Sequence, residues 1–217
     1  MAGGGVAVMM VVMMITLSGR GVSAGDPDML QDLCVADLTS PVKVNGFPCK
    51  SNITADDFFF NGLAKPGATN NTLGSLVTGA NVQRVPGLNT LGVSSHASTT
   101  PRRPQPAPHP PRATEVVFVL EGVLDVGFIT TANVLISKSI KQGEIFVFPR
   151  GLVHFQKNNG KSPAAVIAAF NSQLPGTQSL AVTLFGATPP VPDNVLTKAF
   201  QIGTKEVEKI KSKFAPK

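Results

Sequence analysis

The chain carries 3 histidines and neither tryptophan nor tyrosine, so no phenol is present to donate a proton or carry a radical. Metal and proton chemistry falls to His96, His109, His154, two cysteines and 13 acidic residues. In "PHPPRATEVVFVLEG", residues 108–122, His109 lies a few positions upstream of Glu115, and Glu115 opens an apolar run. An imidazole and a carboxylate this close look like half of a metal site. His154 follows the turn-forming "PRG" of residues 149–151. His96, in "GVSSHAST", reads as structural or solvent-exposed.

The elements that must position these groups are short. Val116 to Leu120 is a β-branched and aromatic run, continued by Gly122 to Thr130 after a break. Glu144 to Phe148, Ala164 to Phe170 and Leu180 to Phe185 are further apolar runs, each bounded by Gly, Pro or Asn. Closely spaced short strands indicate an all-β sandwich or barrel rather than alternating β-α units. Residues 61–80, rich in Gly, Asn and Thr, read as loop with short extended pieces. The period changes near the C-terminus. Asp193 is placed to cap a helix bearing Val195, Leu196, Ala199 and Phe200, and Thr204 a second bearing Val207, Ile210 and Phe214.

Residues 1–24 read as a signal peptide, with an apolar run from Val6 to Leu17 and small residues at Val22-Ser23-Ala24. No other stretch is apolar and long enough to cross a bilayer, so a secreted chain with no membrane partner is expected. Roughly 190 residues then remain, enough for one domain with a substantial core. In an oxidising compartment Cys34 and Cys49 are expected to pair, a loop closure that contributes about 3 kcal/mol; two separate thiols are the alternative. Asn52-Ile53-Thr54 and Asn70-Asn71-Thr72 are glycosylation sequons that matter only on export. The net charge of +6 is dispersed. Its densest patch, Arg102, Arg103 and Arg112, has no interleaved aromatics, which argues against nucleic acid. It reads as a solvated basic surface, with contact to acidic cell-wall polymers as the alternative.

"GEIFVFPRGLVHFQKN", residues 143–158, resembles the second sequence box of plant germins and germin-like proteins at every spaced position. "PRATEVVFVLEG" resembles the end of the first box. The Cys34/Cys49 pair, "VNGFPCK", "PPVPDNVLTKAFQI" and the signal peptide extend the likeness over nearly all of the mature chain. The resemblance implies a cupin fold, an all-β double-stranded β-helix (jelly-roll) barrel with short C-terminal α-helices. The corresponding division is residues 25–60 as a disulfide-closed segment, 61–190 as the barrel and 191–217 as the helical segment. It also implies a homohexamer, a trimer of dimers, in the plant apoplast, where defence is the usual context. Family members bind manganese through three histidines and a glutamate, and some act as oxalate oxidases or superoxide dismutases.

The pattern breaks in one place. The family's first box reads H-x-H-P-R-A-T-E, which puts Pro108 and Pro110 where histidines belong and His109 between them. Glu115 and His154 alone stay in register. A shift of one residue would bring in His109, giving a two-histidine, one-carboxylate set with open positions, a pattern that supports oxygen chemistry at non-haem iron. The metal residues expected are therefore His109, Glu115 and His154, with no protein general base to name. Residues 101–111, "PRRPQPAPHPP", hold six prolines and cannot form a central strand. A barrel missing ladder bonds here would be weakened. Divergence and a local shift of reading frame would both produce so abrupt a loss and recovery. The expected function is a secreted germin-like cupin glycoprotein with a degenerate manganese site. Its activity would be superoxide dismutation at most, without oxalate oxidation. A non-catalytic, oligomeric cell-wall binding glycoprotein is the alternative.

Overall fold

A computed structural model describes residues 31–43, 46–65, 67–68, 75–100 and 112–214. The signal-peptide segment, the Asn70 sequon and the proline-rich run containing Pro108, His109 and Pro110 lie outside the described residues. Eight described strands build two antiparallel sheets: β1 (Leu76–Ala80), β2 (Ser94–Thr100), β3 (Glu115–Glu121), β4 (Val123–Ile129), β5 (Leu135–Lys141), β6 (Ile145–Phe148), β7 (His154–Lys157) and β8 (Ala164–Phe170). One sheet runs β1-β2-β8-β3-β6 and the other β5-β4-β7. This is the jelly-roll arrangement of a cupin barrel, with short helices after it.

Period-two burial drives the closure. On β3, Glu115, Val117 and Val119 are buried; on β8, Ala164, Val166, Ala168 and Phe170; on β4, Leu124 and Val126. With Ala113, Ile140 and Phe148 they form one core, and Phe128 and Phe146 pack against it. Gly122 makes the sharp passage from β3 to β4. Its φ is +85°, and a Cβ there would lie 2.9 Å from the Pro163 carbonyl oxygen and the Ala164 Cα, so only glycine fits.

One expectation is corrected. Leu180–Phe185 is a helix, α1, not a strand. A six-residue apolar run carries no period of its own, and none of the described strands pairs with it. Its backbone bonds close internally instead, with Thr183 N donating to Ser179 O and Gly186 N to Val182 O. The proline run itself lies outside the described residues, but the strand ahead of it is fully paired. β2 pairs with β8 at every position from Ser94↔Phe170 to Thr100↔Ala164, and with β1 from Ser95 to Thr99. The first proline comes at residue 101, so every residue of β2 keeps its amide for the ladder.

The C-terminal helices are α2 (Asp193–Phe200) and α3 (Thr204–Lys211). Each begins at the residue expected to cap it, one position earlier than expected, with Pro192 and Gly203 in the capping positions. Asp193 instead receives the Lys211 ammonium at 2.5 Å, tying the start of α2 to the end of α3. Leu196 and Val207 are buried, while Val195 and Phe200 are exposed. Cys34 and Cys49 form a disulfide. No helix among the described residues is long and apolar enough to cross a membrane.

Candidate metal centre

Glu115 is the first residue of β3 and is fully buried. The chain reaches it through a clamped approach. Arg112 N donates to Pro175 O at 2.9 Å, Arg112 Nη2 to Leu174 O at 3.1 Å, and Thr114 N to Asn171 Oδ1 at 2.8 Å. The register then sets Glu115 between Phe148 of β6 and Phe170 of β8, two aromatic neighbours that keep water off the carboxylate.

His154 arrives from the other sheet. Leu152 N closes the turn onto Pro149 O at 3.3 Å, and Gly151 supplies the φ of +75° that the turn requires. Ile129 N then bonds Val153 O at 2.8 Å, and β7 begins at His154. The imidazole is fully buried and stacks on Phe148, with centroids 4.2 Å apart and planes 16° from parallel. Its Nδ1 lies 3.0 Å from Leu152 O. A carbonyl only accepts, so Nδ1 carries the hydrogen and Nε2 is the ring atom turned to the interior. Nε2 stands 3.3 Å from Glu115 Oε2.

A third ring completes the cluster. His96 is buried on β2, and its Nε2 lies 3.8 Å from Glu115 Oε1. Its ring tilts against Phe170 with centroids 5.0 Å apart. Gln156 on β7 donates to Glu115 Oε1 at 3.0 Å, which fixes the plane of the carboxylate. Asn158 holds the surrounding frame together. Its Nδ2 donates to Thr100 O at 3.1 Å and Ser162 O at 2.8 Å, and its Oδ1 accepts from Gly160 N at 2.8 Å. As its motif position indicates, it fixes a turn, and it also ties the end of β2 to the end of β7.

Among the three expected metal residues, the structure brings Glu115 and His154 together, and His109 lies outside the described residues. His96, expected to be structural or exposed, is buried and faces the carboxylate. Only the strand's alternation was available to signal this: Ser94, His96 and Thr100 are the buried positions of β2. Polar residues at every position of "SSHASTT" but Ala97 hide that period.

Among the described residues no three His, Cys, Asp or Glu side chains close into a ready-formed metal cage. The donor chemistry nevertheless suits a cation. A neutral His154 ring would point a lone pair at a buried carboxylate oxygen, an arrangement that a proton or metal ion between them stabilises. Two ligand atoms held at right angles about 2.1 Å from one ion stand about 3 Å apart.

A family model described as cupin matches residues 61–208. Germin-like protein 5-1 of Oryza sativa subsp. japonica is 68% identical over 98% of this chain and 95% of its own length. The rhicadhesin receptor of Pisum sativum is 72% identical over 88% of this chain and 89% of its own. Among solved structures, recombinant oxalate oxidase in complex with glycolate superposes with a TM-score of 0.83 at 46% identity, covering 87% of this chain and 98% of that one.

Proposed function

We propose a function for this chain, which belongs to the cupin family as a germin-like protein: it is a secreted glycoprotein that holds manganese in its barrel and dismutes superoxide in the plant apoplast, in the service of defence. The observation that carries this reading is the meeting of Glu115 and His154, two buried groups from opposite sheets, at 3.3 Å inside the barrel. The likeness to an oxalate oxidase structure supports a metal site at this place in the fold.

Glu115 and His154 would hold the ion, with His109 a further candidate. Leu152 O fixes the tautomer of His154, and Gln156 fixes the orientation of Glu115. Phe148 and Phe170 line the approach and lower the local polarity, strengthening the electrostatic grip on a cation. A bound manganese ion would supply the one-electron couple that dismutation needs. Oxalate oxidation is not part of the proposal. A bidentate acid requires a firmly held metal with adjacent open positions, and prolines stand at 108 and 110 where the family places histidines.

Assembly as a hexamer, a trimer of dimers, belongs to the same reading. Phe118 pairs with Ile145 and with Ile167, and Val116 with Val147, on the outward face of the five-stranded sheet. Phe118, Ile145, Val147 and Ile167 are exposed there, and so large an apolar patch favours cover by another subunit. Asn52 is exposed and open to glycosylation. The second reading is a non-catalytic wall glycoprotein that binds acidic polymers through its basic surface. A relative named as a receptor, the rhicadhesin receptor, favours it.

Metal content per subunit of the secreted protein separates the two. Near-stoichiometric manganese that disappears in His154→Ala supports the metalloprotein. A folded oligomer that takes up none when manganese is supplied leaves the binding glycoprotein.

A further inference from the structure

We propose that Cys49 is a site of reversible thiolation: a small thiol of the glutathione class opens the Cys34–Cys49 bridge there, and Cys34 closes it again. The inference stands apart from the manganese reading above and survives its failure.

The two halves of the bridge lie in unlike surroundings. Cys49 is exposed, whereas Cys34 is buried at 8% exposure. Access therefore directs an incoming thiolate to Cys49 and makes Cys34 the leaving sulfur. Burial alone would make Cys34 a poor thiolate. Asn89 offsets that. It is fully buried, and its Nδ2 donates to Cys34 Sγ at 3.4 Å and to Phe47 O at 2.8 Å. Such a bond strengthens as negative charge develops on its acceptor. The far end of the amide is held as well, because Asn89 Oδ1 accepts from Phe47 N at 3.4 Å and from Gln173 Nε2 at 3.3 Å. Both partners are donors, which fixes the nitrogen end of the amide towards the sulfur. Cys49 Sγ also accepts a hydrogen bond, from Gln31 Nε2 at 3.3 Å, but that contact is exposed and competes with water.

In the opening step the small thiolate bonds to Cys49 Sγ as the Cys34–Cys49 bond breaks. Cys34 leaves with the electron pair of that bond, rests against the Asn89 amide and is protonated from solvent. One disulfide replaces another, so neither oxidant nor reductant is consumed. In the return step Cys34 attacks Cys49 Sγ and expels the small thiol. The backbone keeps the pair together meanwhile. Ala36 pairs with Cys49, Lys50 N donates to Val35 O at 2.9 Å, and Ala36 N donates to Pro86 O at 3.0 Å. Val35 is fully buried. The segment stays docked without its covalent tie, and closure is intramolecular.

The secreted full-length protein is incubated with reduced glutathione in the absence of denaturant, quenched in acid and alkylated, and the thiolated cysteine is mapped by peptide mass spectrometry. Glutathione is expected on Cys49 over Cys34 by at least roughly tenfold, the consequence of unequal access. Asn89→Ala is expected to slow opening several-fold, while Gln31→Ala leaves the rate within about twofold. A merely structural Asn89 would give the opposite sign, because a loosened segment opens faster. Melting temperatures show whether each variant is folded, and the wild-type map needs no variant. Glutathione on Cys34, or equally on both cysteines, would overturn the proposal. So would a native bridge that resists glutathione while the urea-unfolded protein exchanges, or faster opening in a folded Asn89→Ala protein.

Discussion

His154 and His96 approach the same carboxylate from opposite walls of the barrel, and the chain places them by different means. His154 is set locally. A turn of four residues, one glycine and the carbonyl two positions upstream decide where its ring points. His96 is set at long range. Its side of the sheet depends on the pairing of β2 with β8, about seventy residues later in the chain, and its reach depends on the size of Ala168. A locally placed group survives changes elsewhere, whereas a group placed by register is sensitive to every strand it crosses.

The largest test removes what the walls share. Phe148 is fully buried, stacks on His154 and meets Phe146 edge-on at 5.2 Å. Phe148→Ala should cost about 3–5 kcal/mol in denaturant unfolding. It should also release the His154 ring, so metal affinity falls with stability. A loss of stability with affinity intact would show that the Leu152 carbonyl alone holds the ring.

Next in size is the support behind the β2 wall. The segment closed by Cys34 and Cys49 packs beside the approach to β2: Asn89 is buried, donates to Phe47 O at 2.8 Å and sits at 3.4 Å from Cys34 Sγ. Removing the bridge with Cys34→Ser/Cys49→Ser should cost about 3 kcal/mol on the chain-entropy account. Hydrogen exchange should rise along Ser94–Thr100 before it rises along His154–Lys157. Equal rises in both strands would erase the distinction between the walls.

Ala168→Val addresses the β2 wall alone. Two methyl groups added on β8 opposite His96 overpack the interior at a cost of about 1–3 kcal/mol and push the His96 ring away from Glu115. The NMR signals of His96 should move and those of His154 stay. Movement of both would mean that the carboxylate transmits the shift. Gly151→Ala is the counterpart on the local side. No atom lies within 4 Å of a Cβ built there, so the cost is that of the left-handed backbone, about 1 kcal/mol. Metal binding should then decline through His154 while the His96 signals hold.

The same contrast explains what was legible in the sequence. Glu115 and His154 stand inside compact motifs whose turn residues lie next to them, and the strands around them carry β-branched runs. β8 and the last two helices declared themselves through period and composition. His96 did not, because "SSHASTT" is polar on both faces, Ala97 apart, and only the partner strand decides between them. β5 was hidden for a related reason. Its "LISKSIK" mixes lysines with isoleucines on an edge, and Ile140 is its one buried residue. Leu180–Phe185 misled in the opposite direction, since apolar composition without a sheet partner is compatible with a helix.

The smallest expected effect lies in the segment that follows the disulfide and serves as a control. Asp57 accepts from the Lys50 ammonium at 2.5 Å and from Thr54 N at 2.8 Å. The Lys50 hydrogen bond, then that of Thr54, holds its carboxyl below the usual value of 3.8. A carboxylate depressed in the folded state contributes stability above its unfolded value and loses it as pH falls through the folded one. Asp57→Asn should therefore be less stable than the parent near neutral pH, with urea midpoints that converge below about pH 3.8. Manganese affinity should not change, because the described hydrogen-bond partners of Asp57, Lys50 and Thr54, belong to its own segment. A deficit that persists undiminished at low pH would assign the loss to packing in the short helical turn of Ala55–Phe58 rather than to the charge. A fall in affinity would mean that this segment helps set the register on which His96 depends.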